Sequence, residues 1–535
     1  MLDRRLQPWV WRARAESLTG WPSWILLLIS GGLASLAMAP LHNWLVLVPS
    51  LAVLLWQVDG ARRRARPLRA AFLAGFIFAM GYFMAGTFWV GYAFANRDAA
   101  FIPLIPIALP IFAAMLAVFW GGAMALYAAL AQKSEWRVLV FAASIALFEY
   151  LRGHVLSGLP WNLPAYAWAA GGPVSQTASW FGVYGLSLLT VLMAVSPAIM
   201  ASRRLTSRRA MPALAGLAIL FLLFASGLAR LSGPALPDQP DIRLRIVQSA
   251  ITQQEKWANG NQLVVRERYL ALTGEHGLDE VTHILWPEGA LPYYMLEHGE
   301  TLARIGETLS EGQVLMAGIN RRDQAEDPVT YYNALALMSF ENGIPRSRGL
   351  YDKVRLVPFG EIIPLSGLLS LIGFDEFARL QFTPGPGAAV MDVPGAPTMM
   401  PLICYEAIFP GFVGEMGAER PGWLFNLSND AWFGDTSGPE QHLNQARYRA
   451  IEFGLPMIRT ASRGYSGVID PFGRMPVEIG PSEEGAFDVG LPQPLQKTTY
   501  ASFGNYPFFF VVLGIFVGVL VQRYRFLKQR KGSQP

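Results

Sequence analysis

Two blocks of apolar sequence, one at each end of the chain, limit what this protein can fold into. Apolar runs of this length can cross the roughly 30 Å hydrocarbon core of a bilayer at about 1.5 Å of helix per residue. We predict eight spans, at residues 21 to 39, 41 to 58, 70 to 93, 101 to 131, 138 to 151, 177 to 200, 211 to 229 and 506 to 521. The pattern therefore predicts a membrane domain over residues 1 to 231, with seven transmembrane helices. A return segment, residues 493 to 535, carries the eighth helix and a basic tail.

Positive charge is concentrated in the short loops beside these apolar runs. Only 15% of the residues are charged, against roughly 25% in an average soluble domain, and the net charge is +4. The clusters lie at residues 4 to 14, 62 to 66, 133 to 137, 203 to 209 and 523 to 531, and with eight spans all of them fall on one side of the membrane. The positive-inside rule makes that side cytoplasmic, which predicts that the segment between the seventh and eighth spans lies outside. Since the basic residues line no single face, we expect no nucleic-acid partner.

A water-soluble domain of mixed helix and strand is predicted between the two apolar blocks. Residues 232 to 241 are rich in Pro and Gly and are typical of a linker. From residue 242 to 492 short apolar runs alternate with amphipathic stretches, which is the pattern of an α/β domain. We predict strands near 242 to 246, 283 to 286, 314 to 319, 334 to 340, 399 to 404, 423 to 427, 457 to 461 and 466 to 469, and helices over 262 to 272 and 441 to 452.

The chain contains one cysteine, Cys404, which ends an apolar run. A single cysteine cannot form an intramolecular disulfide, but a thiol at a strand end becomes a nucleophile when a base and a cation lie nearby. Two other apolar runs end in such groups, Glu288 and Lys353. Since strand ends of an α/β domain meet at one side of the sheet, we expect all three residues to converge on one face of a sheet.

Each of these residues also has a purely structural interpretation. Glu288 could cap a helix, Lys353 could be a solvated loop charge, and Cys404 could fill the core, because free cysteine is often buried. Their joint occurrence favours a reactive site. The six histidines have no metal-type spacing, and neither a phosphate loop nor a GxSxG elbow occurs, so we predict no metal and no cofactor.

The chain resembles the nitrilase, or carbon-nitrogen hydrolase, superfamily in the order of Glu288, Lys353 and Cys404 and in the residues beside them. Members of that superfamily share a Glu-Lys-Cys triad on an αββα sandwich. Within the superfamily, four strings resemble the bacterial apolipoprotein N-acyltransferases: WPEGALP from residue 286, KVRLVPFGE from 353, ICYEAIFP from 403 and NLSNDAWF from 426. The resemblance covers nearly the whole chain. It implies a multi-span α-helical membrane domain plus an α/β nitrilase-like extracytoplasmic domain.

The same resemblance implies an activity. An acyl chain would pass from a phospholipid, through a thioester on Cys404, to the α-amine of the N-terminal diacylglyceryl-cysteine of a lipoprotein, which is the last step of lipoprotein maturation. Glu288 would act as the base, and Lys353 would stabilise the oxyanion. The implied partners are the phospholipid donor, the diacylglyceryl-modified apolipoprotein acceptor and membrane lipids. The implied state is a monomer in the bacterial inner membrane with a periplasmic catalytic domain.

Supporting residues also follow from the resemblance. Glu361 and Glu406 resemble family acids that position Lys353 or the incoming amine, and Tyr405 and Trp257 resemble residues that line the acyl or head-group pocket. Trp257 equally fits an aromatic anchor at a membrane interface. Trp161, in a loop predicted to lie outside, is a candidate substrate contact from the membrane side.

Two other functions are compatible with the residues. A membrane-tethered amidase would transfer the acyl group of its acyl-enzyme to water instead of to an amine. Eight membrane spans, however, are more than a simple tether needs. A transporter or scaffold could carry an inactive nitrilase-like domain, although the chain has all three reactive residues.

Overall fold

The structure, a computed structural model, describes residues 7–97, 99–362, 381–417 and 419–532. The chain divides into a helical unit, Met1–Gly233 with Ser502–Pro535, and an α/β unit, Pro234–Ala501. Strand β1 begins at Asp238, so the last residues of the predicted linker belong to a strand. The linker prediction is wrong for these residues.

The helical unit consists of long apolar helices joined by short loops. Its helices are α1 (Pro8–Ser17), α2 (Trp21–Ala34), α3 (Leu47–Ala61), α4 (Pro67–Gly86), α5 (Val90–Arg97), α6 (Ile105–Leu130), α7 (Arg137–Arg152), α8 (Ala178–Val195) and α9 (Ser207–Leu231), with α15 (Tyr506–Gly532) after the α/β unit. Within the described ranges, six helical segments are long and apolar enough to cross a membrane: Trp44–Ala61, Pro67–Gly86, Ile102–Leu130, Val174–Met200, Ser207–Leu231 and Tyr506–Arg525. The chain is therefore a membrane protein. The predicted spans at 21 to 39 and 138 to 151 form the shorter helices α2 and α7.

Small residues and paired charges hold the helical unit together. A Cβ atom on Gly31 of α2 would lie 1.8 Å from the carbonyl oxygen of Phe78 on α4, so the two backbones approach as closely as glycine allows. Buried Asp59 accepts hydrogen bonds from Arg137, with Nη2 at 2.7 Å, and from Tyr127. Charged groups in an apolar environment are stable only when paired in this way.

The described part of the α/β unit contains two six-stranded sheets. The first has the order β12-β1-β2-β3-β4-β5 and the second the order β11-β10-β9-β8-β7-β6. Strands β1 (Asp238–Gln248), β2 (His283–Trp286) and β3 (Val314–Asp323) are parallel, and β4 (Thr330–Glu341), β5 (Ile344–Asp352) and β12 (Gly485–Pro492) complete the first sheet in antiparallel pairings.

The second sheet has the same plan. Strands β7 (Ala396–Ile403), β8 (Trp423–Ser428) and β9 (Met457–Ala461) are parallel, and β6 (Met391–Val393), β10 (Ser466–Ile469) and β11 (Val477–Ile479) pair antiparallel to their neighbours. The predicted strands all appear, whereas β5, β6, β11 and β12 were not predicted.

Apolar side chains from both sheets form one core between them. Leu244, Leu285 and Leu335 of the first sheet belong to the same buried cluster as Phe425 and Ile458 of the second. The other helices of the described residues are α10 (Gln253–Trp257), α11 (Gln262–Thr273), α12 (Gly299–Thr308), α13 (Gly438–Phe453) and α14 (Thr499–Phe503). On its other face the first sheet packs against the helical layer that contains α11 and α12.

Candidate active site

Glu288 and Lys353 lie at the same edge of the first sheet. Glu288 follows β2 by two residues, and Lys353 comes directly after β5. Strand β5 is antiparallel to β4, which is antiparallel to β3, so β5 and β2 run in the same direction. Their carboxyl ends therefore meet, and Lys353 Nζ donates to Glu288 Oε1 at 3.0 Å.

Cys404 comes from the second sheet, at the point where β7 turns into a short 3₁₀ helix (Cys404–Ile408). Its φ of 48° is in the left-handed region, which costs a residue with a side chain on the order of 1–3 kcal/mol. The surrounding structure must supply that energy. In nucleophile elbows, a strained turn of this kind at a strand end presents the reactive side chain.

The three predicted residues do come together, but from two sheets. Cys404 is buried with a relative exposure of 9%, and the charges of Glu288 and Lys353 both act on its thiol. The expectation that three strand ends converge on one face of a single sheet is wrong, because β7 lies in the second sheet. The site lies where the ends of two packed sheets meet.

A second carboxylate and an amide complete the group around Lys353. Lys353 Nζ donates to Glu361 Oε1 at 2.9 Å as well as to Glu288. Asn333 Nδ2 donates to the same two oxygens, at 2.7 Å for Glu288 and 2.8 Å for Glu361. An ammonium group has three N–H donors, and two acceptors contact Lys353 Nζ among the described residues, which leaves one donor for a further acceptor.

Burial and neighbouring charge determine the resting protonation of the site. Burial alone would lower the pKa of Lys353, but Glu288 and Glu361 outweigh it and raise that pKa above its usual value. Burial raises the pKa of Cys404, and the charge of Glu288 raises it further against the opposing charge of Lys353. The resting site therefore holds a lysine ammonium and a neutral thiol, so attack by this sulfur would require a base to remove the thiol proton.

Glu406 stabilises the backbone around Cys404. Its Oε2 accepts from the Ile403 amide at 2.7 Å, and its Oε1 accepts from the amides of Val354 and Arg355 and from Tyr351. Burial raises the pKa of Glu406 to about 7, although these hydrogen bonds act in the opposite direction. Glu406 thus links the segment after β5 to the turn that carries Cys404.

The predicted aromatic residues occupy three different environments. Trp257 is 56% exposed at the end of α10, and its indole N–H donates to Gln253. Tyr405 follows Cys404 in the chain and is buried, with its ring centroid 4.9 Å from that of Phe409. Trp161 belongs to the helical unit and is buried there against Trp89. Their substrate-binding roles stay predictions.

Two polar residues of this region were not singled out from the sequence. Asn333 is a lone amide at the start of an apolar strand, and a buried amide in such a position is the signal that could have identified it. Lys256 is buried and donates to the carbonyl of Gly289, the residue after Glu288. Burial lowers the pKa of Lys256 to about 8 against the opposing charge of Glu288.

One group of metal-ligating atoms lies at the site. One potential ligand atom each from Cys404, Asp430 and His442 lies within 4.8 Å of the others. Both ring nitrogens of His442 already contact oxygen atoms, and Arg459 faces Asp430. This arrangement fits a hydrogen-bonded cluster better than a metal site.

Comparisons with known proteins agree with the two-unit architecture. The family model described as apolipoprotein N-acyltransferase N-terminal domain matches residues 30–196, and the model described as carbon-nitrogen hydrolase matches residues 243–499. The apolipoprotein N-acyltransferase of Rhodopseudomonas palustris is 38% identical over 94% of this chain and 96% of its own length. The one from Caulobacter vibrioides is 40% identical over 96% of this chain and 97% of its own length.

The chain belongs to the apolipoprotein N-acyltransferase family. Membership confirms the resemblance predicted from the four motif strings, and with the two sheets and the apolar helices it confirms the predicted fold class. The family is one of enzymes, so the chain is an acyltransferase with a carbon-nitrogen hydrolase domain. A mutant amidase of Nesterenkonia AN1 from the nitrilase superfamily, a solved structure, is 19% identical with a TM-score of 0.34, over 48% of this chain and 93% of its own.

Proposed function

We propose that this protein transfers an acyl chain from a phospholipid to the α-amine of the diacylglyceryl-cysteine at the amino terminus of an apolipoprotein, with Cys404 as the covalent carrier. The observation that supports it best is the contact of Lys353 with Glu288 beside the buried Cys404 thiol. That contact joins a base and a cation, and the charges of both act on the Cys404 thiol in a chain of this family. The site residues and their roles below are part of the proposal.

The first half-reaction forms a thioester. Glu288 takes the Cys404 proton as Sγ attacks the ester carbonyl carbon of the phospholipid, and the resulting oxyanion accepts a hydrogen bond from the remaining donor of Lys353. The carbon–oxygen bond to glycerol then breaks. The leaving alkoxide recovers the proton from Glu288, and the lysophospholipid departs.

The second half-reaction uses the same groups in reverse. The α-amine of the acceptor attacks the thioester carbonyl, the carbon–sulfur bond breaks, and an amide forms. An α-amine has a reference pKa near 7.7 to 8.0, so an appreciable fraction is already neutral at neutral pH. Glu288 accepts the second proton of that amine and returns a proton to the Cys404 thiolate.

The carboxylate oxygens of Glu288 and Glu361 have different partners, which separates the roles of the two residues in this scheme. Both hydrogen bonds that Glu288 accepts within the described residues go to Oε1, which leaves Oε2 to receive the thiol proton. Glu361 uses Oε2 to accept from the Val357 amide, so it positions Lys353 and is not a second base. Trp257, Tyr405 and Trp161 are proposed substrate contacts.

The proposal includes a location and a set of partners. We place the protein in a bacterial inner membrane with residues 242 to 492 on the periplasmic side, because the basic loops then face the cytoplasm. Residues of one chain supply every group in the scheme, so a monomer suffices. The substrates are a phospholipid and a lipoprotein that already carries diacylglyceryl.

One experiment separates acyl transfer from its alternatives. Purified full-length protein would be incubated with a phospholipid labelled in its acyl chain, with and without a diacylglyceryl-cysteinyl peptide. Label on the peptide supports the proposal, release of labelled fatty acid in both conditions would indicate an amidase-type hydrolase, and unreacted phospholipid would indicate an inactive domain. Cys404→Ala is the control for background transfer.

A further inference from the structure

Four basic segments of the helical unit meet at one end of it. We call this region the basic end, and it consists of residues 12–16, 59–69, 131–137 and 201–209. Contacts between arginines and oxygen atoms join the segments in three places: Arg12 Nη1 to the Ala201 carbonyl at 3.4 Å, Arg62 to the Ala131 carbonyl, and Arg63 to the Glu16 carboxylate. Segments that are far apart in the chain therefore place their charges together.

The basic end carries more positive charge than its own acidic residues can neutralise. It contains thirteen Lys and Arg residues and three acidic residues, Glu16, Asp59 and Glu135. Each of these acids already forms an ion pair with at least one arginine. Six other arginines are exposed and have no acidic partner among the described residues: Arg14, Arg66, Arg69, Arg203, Arg204 and Arg208.

Three of these six arginines lie at the starts of two apolar helices. Arg66 directly precedes Pro67, the first residue of α4, and Arg69 lies in the first turn of that helix. Arg208 is the second residue of α9. Both helices are long and apolar enough to cross a membrane, so their starts lie at the depth of the lipid head groups. The free backbone N–H groups of a helix start add to the attraction for an anion there.

Exposed apolar side chains accompany these arginines along the chain. Three large ones lie within three residues of an unpaired arginine: Trp11, Leu68 and Leu205. A soluble anion gains nothing from apolar neighbours, whereas a phospholipid has acyl chains directly below its phosphate. Arginines beside exposed apolar side chains therefore favour a lipid over a free anion as the occupant.

We propose that the basic end binds anionic phospholipids of the adjacent leaflet, with the six unpaired arginines at the head-group phosphates and the exposed apolar side chains against the acyl chains. Basic residues beside a membrane-spanning helix attract anionic lipids in this way. The proposed topology makes this the cytoplasmic leaflet, but the binding depends neither on that orientation nor on acyl transfer. No residue of the candidate active site takes part.

The first test measures lipid binding to the detergent-solubilised full chain by native mass spectrometry. The probes are phosphatidylglycerol, which is anionic, and phosphatidylcholine, which has no net charge. Both carry the same ether-linked chains, which acyl transfer cannot remove, so the result does not depend on the proposed function. We expect phosphatidylglycerol to bind at least about tenfold more tightly. Equal affinities would overturn the proposal.

A combined variant tests whether the lipid binds at the basic end. It neutralises three of the unpaired arginines: Arg14→Gln, Arg66→Gln and Arg69→Gln. Each basic residue near an anionic surface contributes about fivefold in affinity, so phosphatidylglycerol should bind at least about 25-fold more weakly even if one of the three contributes nothing. An affinity equal to that of the unaltered chain would refute the proposal.

The matched control removes three exposed positive charges from the α/β unit: Arg243→Gln, Arg346→Gln and Lys497→Gln. Its affinity for phosphatidylglycerol should equal that of the unaltered chain. A loss as large as in the basic-end variant would show that the net charge of the protein, and not a site, attracts the lipid, which also contradicts the proposal.

A second measurement needs no variant. Raising the ammonium acetate concentration from about 0.1 M to about 1 M shortens the Debye length from about 10 Å to about 3 Å. The affinity of the unaltered chain for phosphatidylglycerol should then fall at least about tenfold, and an affinity independent of salt would contradict a site made of arginine charges. Glycerol phosphate, an anion without acyl chains, should bind far more weakly than the lipid. If it binds as tightly, the basic end is a site for soluble anions and the proposal is wrong.

Discussion

The side-chain amide of Asn333 donates to Glu288 Oε1 at 2.7 Å, the same oxygen that accepts a hydrogen bond from Lys353 at 3.0 Å. Two donors on one oxygen fix the orientation of the carboxylate and direct the other oxygen away from them. The same pair of donors holds Glu361. Asn333 therefore sets the geometry of the base without any charge of its own.

Replacing this amide should impair catalysis. Asn333→Ala removes a donor to two carboxylates, and hydrogen bonds to charged groups are worth about 1.5–3 kcal/mol each. If about half of one such bond is needed to orient Glu288 for attack, acyl-enzyme formation should slow by about 4- to 13-fold. The rate is measured by single-turnover labelling of Cys404 with a labelled phospholipid.

The exposed amide variant Gln262→Ala is the control and should keep the normal rate. A normal acylation rate in Asn333→Ala would show that the carboxylate is oriented by Lys353 alone.

Substitutions at the three triad positions should slow acyl-enzyme formation to different extents. Cys404→Ala should form no acyl-enzyme, while Glu288→Gln and Lys353→Ala should each slow it by about 10²- to 10³-fold. Cys404→Ser should be nearly inactive, because a hydroxyl has a much higher pKa than a thiol and Glu288 is a weak base. The exposed variant Lys497→Ala serves as the reference, and labelled Cys404→Ala protein would disprove covalent catalysis here.

The buried ammonium of Lys256 should make stability depend on alkaline pH. Its pKa falls from a usual value near 10.5 to about 8 on folding, so above pH 8 the folded chain loses this proton while the unfolded chain keeps it. The free energy of unfolding is therefore lower below pH 8 than above pH 10.5. It increases by about 3 kcal/mol as the pH rises between these two values.

Thermal unfolding of Lys256→Met and of the unaltered chain at pH 7 and pH 10 tests the direction of this pH dependence. The free energy of unfolding of the unaltered chain should increase relative to the variant as the pH rises. A difference between the two chains that is the same at both pH values would contradict a buried charged lysine.

The acyl-enzyme should accumulate when no acceptor is present. One thiol must serve first a phospholipid and then a lipoprotein, so we expect ping-pong kinetics with release of lysophospholipid before the acceptor binds. The intermediate should survive mild acid and be released by neutral hydroxylamine, which cleaves thioesters. Intersecting double-reciprocal lines, with no trapped thioester, would favour direct transfer in a ternary complex.

The orientation in the membrane can be tested with new cysteines in the Cys404→Ala background. Ser310→Cys, exposed in the α/β unit, should react with an impermeant maleimide in cells whose outer barrier has been removed. Ser17→Cys, which precedes the first predicted span, should react only after lysis. The opposite pattern would reverse the proposed topology.

The convergence of Glu288, Lys353 and Cys404 was easier to predict from the sequence than the groups around them. Glu288 and Cys404 each follow a buried apolar strand, and Lys353 begins the motif KVRLVPFGE, so the sequence alone is enough to find them. The expectation that Lys353 ends an apolar run is wrong, because β5 is mostly polar or exposed. Asn333 acquires its importance from partners on two other segments of the chain, which no local pattern reveals. His442 lacks metal-type spacing, and its contact with Cys404 joins residues 38 positions apart.

The sheet arrangement was harder to predict for a related reason. Alternation of apolar residues shows that a strand has a buried face but does not show which sheet it joins. Strand β5 was missed because most of its residues are polar or exposed, as suits the edge of a sheet.

The edge position of β12 has a consequence for synthesis of the protein. This strand is the last of the α/β unit, yet it pairs with β1, the first. The ribosome must therefore synthesise nearly the entire α/β unit before the first sheet is complete. Only then can Glu288 and Lys353 of a complete first sheet lie opposite Cys404 of the second. A truncated chain would carry Cys404 without a complete sheet opposite, so interrupted translation should release inert protein and not an unregulated lipid-cleaving fragment.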